Sequence, residues 1–394
     1  MEMVNKNITI LSQSYPFGVA EVFLENELKV LALEFKTITV INADSRFLTQ
    51  RSIPENVHSV SLGKGAGKKE KFGAYLSPLC LKSIFSLPSP ERKFWLGYYA
   101  EALNRKKFLE KNGLNKTEIY YSYWGDEWSL ALALLKSEGK IKSFYFRVHG
   151  YDLFEERTSG GKIPFRSFVI KQATRIFPVS EAGKIYLDNK YPEHKSKYVK
   201  ASLGVFDRGI TSINEDAIPI VVSCSNLIPL KRVHLIAEIL GSLNRKIKWV
   251  HFGDGVEREK IMQKVASFPL VELKLMGHVK NDIILSFYQE NAVDAFLHMS
   301  ESEGGVPVSI QEAISFGIPV LAADAGGVKE IVSERTGILL NHAVDVPIAT
   351  EQLQSLLNTY SRNKEKRLAV REVWKEGYNA EVVFHQFAKQ LTNE

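Results

Sequence analysis

The sequence predicts two doubly wound α/β domains joined by a polar linker, and three observations carry that prediction. The chain has 394 residues, too many for one core, because domains usually run to about 100–200 residues. Short apolar, β-rich runs alternate with amphipathic helical patterns from one end to the other. In the second half most of these runs read as apolar throughout, as parallel strands covered on both faces are, and such strands alternating with helices build doubly wound sheets.

In the first half the expected strands are residues 8–12, 37–42, 118–123, 143–148, 175–179 and 197–201, with helices over 21–34 and 128–138. In the second half they are 218–224, 247–252, 273–276, 292–298, 319–323 and 337–340. Residues 207–219, which include Gly209, Thr211, Ser212, Asn214, Glu215 and Asp216, are polar and aperiodic and read as the linker. The domains are therefore expected at 1–206 and 207–375, with 376–394 a helix packing back on the first domain. Two such domains leave a cleft at the carboxyl ends of their strands, where ligands bind in this class of fold.

Hydrophobic residues make up 45% and charged residues 24%, the balance of a soluble globular protein. No apolar run approaches the roughly 20 residues that cross a bilayer, and the N-terminus turns polar too soon for a signal peptide. Cys80 and Cys224 show no metal-ligand spacing, so reduced thiols, a cytoplasmic location and no metal site are expected. The net charge of +6 is too modest to imply nucleic acid. Its distribution says more. A basic, glycine-rich stretch from Gly63 to Lys71 precedes Phe72, Tyr75, Leu76, Leu79, Leu81, Ile84, Phe85 and Leu87, and Arg105-Lys106-Lys107 forms a second cluster. One reading is a solvated loop before a packed helix, and it is favoured for any one residue. The other is peripheral contact with an anionic membrane on its cytoplasmic side. A phosphate-binding P-loop is rejected, because three residues separate Gly63 from Gly67 and no Ser or Thr follows Lys68.

The most informative segment runs from Ser300 to Ala313 and follows the strand ending near His298. Gly304 and Gly305 let the backbone turn sharply, and Pro307 is placed to begin a helix. Amides at that helix start, those of Val308 and Ser309, form an anion site suited to a diphosphate. Glu303 and Glu312 bracket the turn, and carboxylates there accept hydrogen bonds from sugar hydroxyls. For one glutamate alone a cap or a solvated side chain is the better reading; the pair around Gly-Gly-x-Pro favours a site. Lys231, at a helix start where the dipole disfavours a cation, is suited to stabilise a leaving diphosphate. His149, at a strand end before Gly150, is evenly balanced between a structural and a binding role.

The 300–313 segment resembles the signature of the GT4 family of retaining glycosyltransferases, in which two glutamates bracket a Gly/Pro-rich turn. The likeness implies a GT-B fold of two Rossmann-like domains, the first binding acceptor and the second the nucleotide-sugar donor. It places Glu303 at the donor sugar and Glu312 at the ribose. This chain has eight residues between the glutamates where the family has seven. Residues 223–232 resemble the family's diphosphate-gripping turn: Lys231 matches its lysine, Asn226 stands where arginine is usual, and Arg232 is a candidate to compensate. Gly253 resembles a strand-end turn, Gly277-His278-Val279 a base-contacting turn, and Gly326-Gly327 a further family glycine pair. Tyr15 to Glu21 resembles the N-terminal turn of exopolysaccharide-type members, with Gly18 toward the donor phosphate. The resemblance implies retaining transfer from a nucleotide-diphosphate sugar to a saccharide acceptor, lipid-linked, in bacterial surface polysaccharide synthesis. No D-x-D motif occurs, so no metal or other cofactor is expected. Two other readings stay open: a nucleotide-sugar-binding scaffold without chemistry, and an epimerase or hydrolase that uses the donor alone.

Overall fold

The computed structural model describes residues 4–18, 21–44, 50–85, 87–112, 119–158, 160–213, 218–360 and 362–392. The chain divides into two units, Met1–Ala201 with Glu381–Glu394, and Ser202–Ala380. The first carries β1 (Val4–Ser12), β2 (Phe35–Asn42), β3 (Val57–Ser61), β4 (Ile119–Ser122), β5 (Tyr145–Val148) and β6 (Arg175–Pro178), in the order β3-β2-β1-β4-β5-β6. The second carries β7 (Ile220–Cys224), β8 (Ile247–Phe252), β9 (Val271–Leu275), β10 (Val293–His298), β11 (Val320–Ala323) and β12 (Gly337–Leu340), in the order β12-β11-β10-β7-β8-β9. Neighbouring strands pair in parallel in both sheets.

Counted from its own first strand, each sheet has one order: third, second, first, fourth, fifth, sixth. The direction of winding reverses between β1 and β4 in one unit and between β7 and β10 in the other. Ligands of doubly wound sheets bind just beyond the strand ends at such a reversal. β4 and β5 are buried throughout, because helices cover both faces.

Two elements differ from expectation. β3 was not anticipated; it is a five-residue edge strand, Val-His-Ser-Val-Ser, in which only Val57 is buried. Residues 197–201, expected as a strand, make one bridge to β6, between Tyr198 and Ile176, and do not extend into a ladder. Glu118, at the start of the third expected strand, lies outside the described residues, as do Asn214, Glu215 and Asp216 of the expected linker. The described part of that linker packs on the second unit. Thr211 is buried and donates to the Asn291 carbonyl at 2.6 Å, and Arg371 pairs with Asp207 at 2.5 Å. Val205 also belongs there, bonded through its backbone to Tyr378 and Ala380. The units therefore meet at 201/202 and 380/381 rather than at 206 and 375.

The last helix, Ala380–Thr392, supplies Phe387, Ala388 and Leu391 to a core that also holds Ile8, Ile10, Leu28 and Phe177. Against Phe387 lies the Arg147 guanidinium, 4.4 Å from the ring centre. Arg147 is fully buried; it pairs with Glu27 at 2.9 Å and donates to the Tyr121 hydroxyl at 2.8 Å.

Candidate functional site

β7 ends at Cys224, and residues 225–232 turn before the helix Val233–Ser242. β10 ends at His298, and residues 299–307 turn before the helix Val308–Ser315. Since β7 and β10 are paired neighbours, the two turns leave the sheet side by side at the reversal point. A backbone bond from the Glu301 amide to the Leu230 carbonyl, 2.9 Å, joins them.

That bond brings the side chains of the two turns together. Lys231 Nζ lies 2.5 Å from Glu303 Oε1, and His298 Nε2 lies 3.0 Å from the same oxygen. Burial pushes the Glu303 carboxyl up, but the His298 hydrogen bond and the His298 and Lys231 charges outweigh it and hold the group at about 2. Glu303 is thus an ionised acceptor at neutral pH. Arg232 does different work. Its Nε donates to the Met299 carbonyl at 2.7 Å, Nη1 to His342 at 3.0 Å and Nη2 to Ser300 at 3.1 Å. These three bonds brace the β10 turn. Asn226 is exposed on the β7 turn.

Gly304 and Gly305 are half-buried, and a second glycine pair explains how their turn is held. A Cβ on Gly326 would stand 2.3 Å from the Glu303 carbonyl oxygen, and one on Gly327 would stand 2.5 Å from the Gly305 carbonyl carbon. The 326–327 backbone therefore lies directly against the turn, an approach that only glycine permits. Beyond it, Pro307 is the cap residue rather than the first helical one. The amides of Ile310 and Gln311 bond the Pro307 carbonyl at 3.1 and 3.2 Å. Those of Val308 and Ser309 precede the helix's own ladder and point with the positive end of its dipole.

One turn into this helix is Glu312, buried, accepting from Asn281 Nδ2 at 2.7 Å. Burial raises its carboxyl to about 7, with Asn281 pulling the other way. Its field and that of Lys231 both reach Cys224, whose thiol burial pushes up to about 12. A raised acid favours folding when protonated, so its contribution is full below its unfolded value near 4.5 and is lost as pH climbs through about 7. Glu312→Gln is expected to be more stable than the parent at pH 8, by up to about 3 kcal/mol, with the difference vanishing near pH 4. Thermal melts across pH read this directly.

Gly253 and Val279 sit on the neighbouring turns. The Gly253 amide donates to the Gly277 carbonyl at 3.0 Å, which clasps the β8 and β9 ends together. Val279, two residues on, packs part-buried on the core of this unit.

Gly18 and His149 belong to the other unit. Gly18 has φ 68, and its carbonyl accepts from Arg51 at 2.8 Å; Val19 and Ala20, which follow it in the expected turn, lie outside the described residues. His149 follows β5. Its amide is held by Asp152 at 2.6 Å, and its ring packs 4.1 Å from Trp124 and 5.0 Å from Tyr123. Burial, with Arg147 nearby, lowers its pKa well below the usual histidine value, so the imidazole is neutral. Among the described residues neither ring nitrogen has a hydrogen-bond partner. Of the nearby tryptophans, Trp128 is core, its indole donating to the Ser12 carbonyl at 2.8 Å. Trp124 is half-buried against Tyr151.

Three side chains here escaped the sequence reading. His298 was read as a strand end, although its place five residues before Glu303 was the available signal. Asn281 carries no local signature. Glu21, at φ 55, clamps the loop after β1, accepting from the Gln13, Ser14 and Tyr15 amides and from the Trp124 indole at 2.6–2.9 Å.

Residues 207–376 match the family model of glycosyl transferases group 1. A GDP-mannose-dependent alpha-mannosyltransferase of Mycolicibacterium smegmatis is 32% identical over 127 residues, which cover 32% of this chain and 31% of that enzyme. The chain thus matches about a third of that relative's length. Among solved structures, the apo form of the lipopolysaccharide outer core galactosyltransferase WaaB aligns over 98% of this chain and all of that one, at TM-score 0.70 and 14% identity. HepE of Anabaena, in complex with UDP and glucose, aligns over 98% of this chain and all of that one, at TM-score 0.68 and 18% identity. At these identities the structures speak for the fold. Residues 207–376 are thus similar to the glycosyl transferases group 1, and the two parallel six-stranded sheets give the chain the two-domain GT-B fold.

Proposed function

We propose that the chain transfers a sugar from a nucleoside-diphosphate donor to a hydroxyl of a saccharide acceptor, with retention at the anomeric carbon and without a metal. The observation that carries this reading is the Lys231–Glu303–His298 cluster beside the amide-bearing start of helix Val308–Ser315. In the step, the bond from the anomeric carbon to the diphosphate oxygen breaks. The acceptor oxygen bonds to that carbon on the same face, and its proton passes to a phosphate oxygen of the leaving nucleoside diphosphate. Lys231 keeps two N–H groups beyond its bond to Glu303. These and the Val308 and Ser309 amides take up the charge that grows on the diphosphate. Ionised Glu303 accepts from the donor sugar's hydroxyls, and Glu312 from the ribose. Gly18, Asn226, Gly253, Val279, Gly304 and Gly305 shape the donor site, and neutral His149 bonds a sugar hydroxyl. The acceptor is lipid-linked, and the product enters a bacterial surface polysaccharide.

The mycobacterial relative is named for GDP-mannose and the Anabaena structure holds UDP, so both bases belong in the test. A panel of UDP-, GDP-, ADP- and dTDP-sugars is read by thermal shift. The true donor at a hundredfold excess over its Kd adds about 2.7 kcal/mol of apparent stability, and EDTA leaves that shift in place. A flat response to every sugar nucleotide overturns the reading.

A further inference from the structure

A helix packed on a protein normally turns its large apolar side chains inward. The helix Lys68–Leu76 does the reverse. Its inward face is small: Ala74 is buried, and a Cβ on Gly73 would meet Leu103 at 3.3 Å. Its outward face carries Phe72, 65% exposed, Leu76, 64% exposed, and Tyr75, with Lys68, Lys69 and Lys71 exposed around them. The next helix, Pro78–Ile84, buries Cys80 and Ile84 and leaves Leu81 and Lys82 exposed; Phe85 follows at 86% exposed. Between residues 62 and 88 the one acidic residue is Glu70. Glu70 is already engaged by the Gly67 amide at 3.0 Å and by Lys107 at 3.4 Å. Among the described residues Lys68, Lys69, Lys71 and Lys82 form no ion pair.

We infer that residues 64–85 form a docking face for an anionic lipid bilayer, with Phe72, Tyr75, Leu76 and Phe85 seated at headgroup depth and the lysines on lipid phosphates. Aromatic and leucine side chains ringed by lysine are the composition of an interfacial helix. Unneutralised positive charge selects an anionic partner and opposes a second copy of the same face. Among the described residues no helix is long and apolar enough to cross a membrane, so the contact is with the surface. The inference is independent of the donor chemistry.

Co-sedimentation with vesicles tests it. The protein is expected to pellet with phosphatidylcholine vesicles that contain phosphatidylglycerol, to stay in solution with phosphatidylcholine alone, and to be released by high salt. Each lysine near an anionic surface is worth about fivefold in partitioning. The triple variant Lys68→Glu, Lys69→Glu, Lys71→Glu therefore binds at least about a hundredfold more weakly. The double variant Phe72→Ser, Leu76→Ser also loses binding. These side chains are exposed, so both variants keep the parent melting temperature and the parent response to sugar nucleotides. A parent that ignores anionic vesicles, or variants that bind as the parent does, overturns the inference. So does lipid-free dimerisation that Phe72→Ser, Leu76→Ser abolishes, which would make a second copy the occupant.

Discussion

Lys231→Ala is expected to lower turnover by about 10²–10³-fold, the loss that follows removal of one donor to charge developing in a transition state. Two features of the site set that size. The ammonium is fixed by Glu303 at 2.5 Å, so it is oriented before the donor arrives and needs no reorganisation as the diphosphate leaves. The neighbouring cation, Arg232, is held by three carbonyls instead. The loss should fall on kcat more than on donor affinity, because the charge it answers grows only as the bond breaks. A stability signature accompanies it. The depressed Glu303 carboxyl contributes stability above its unfolded value near 4.5, and that contribution is lost as pH falls toward about 2. Without Lys231 the depression shrinks, so the variant gives up part of its margin at neutral pH and the gap narrows in acid. Steady-state kinetics with the identified donor, and melts at several pH values, measure both. Parent-like turnover in this variant would remove Lys231 from the chemistry.

Gly327→Ala is expected to destabilise the protein by about 1–3 kcal/mol, as overpacking does, and to weaken donor binding at least tenfold. The new methyl group would stand 2.5 Å from the Gly305 carbonyl carbon and 2.8 Å from the Val306 nitrogen. Both are backbone atoms, and no rotamer change relieves the clash. The turn that carries Glu303 must move, and with it the start of helix Val308–Ser315. Gly327, unlike Gly326, does not have a positive φ, so the effect reports close approach and not backbone strain. Urea denaturation and the thermal-shift response to the donor give the two numbers. A melting temperature and donor response equal to the parent's would show that the turn yields without cost.

The strands of the second unit were legible where apolar residues dominate: 337–340, apolar throughout, and 247–252, apolar but for Lys248 and His251, match β12 and β8 residue for residue. β3 was not legible, since an edge strand of two valines, two serines and a histidine lacks that signal. Residues 197–201 have β-type composition but no ladder beyond Tyr198, and composition cannot report whether a neighbour continues. At the site, Lys231 and Glu303 were readable from turn chemistry before a helix. The contact between them spans 72 positions and depends on β7 lying beside β10, which no local pattern encodes. The fit of Gly326-Gly327 against residues 303–305 depends likewise on β11 lying beside β10, and Asn281 reaches Glu312 from 31 positions away. Arg232 ties down three carbonyls, a use that no sequence pattern separates from facing a ligand.

The two units are not equivalent as the chain is made. Ser202–Ala380 is one uninterrupted stretch, whereas the other unit draws Phe387, Ala388 and Leu391 from the far end. A nascent chain halted at residue 380 would already hold every strand of both sheets, yet one of its apolar layers would remain open beside Tyr121 and Phe177. Order of synthesis and order of completion are thus inverted: the unit begun first closes only after residues 381–392, made after all of the other unit, have left the ribosome.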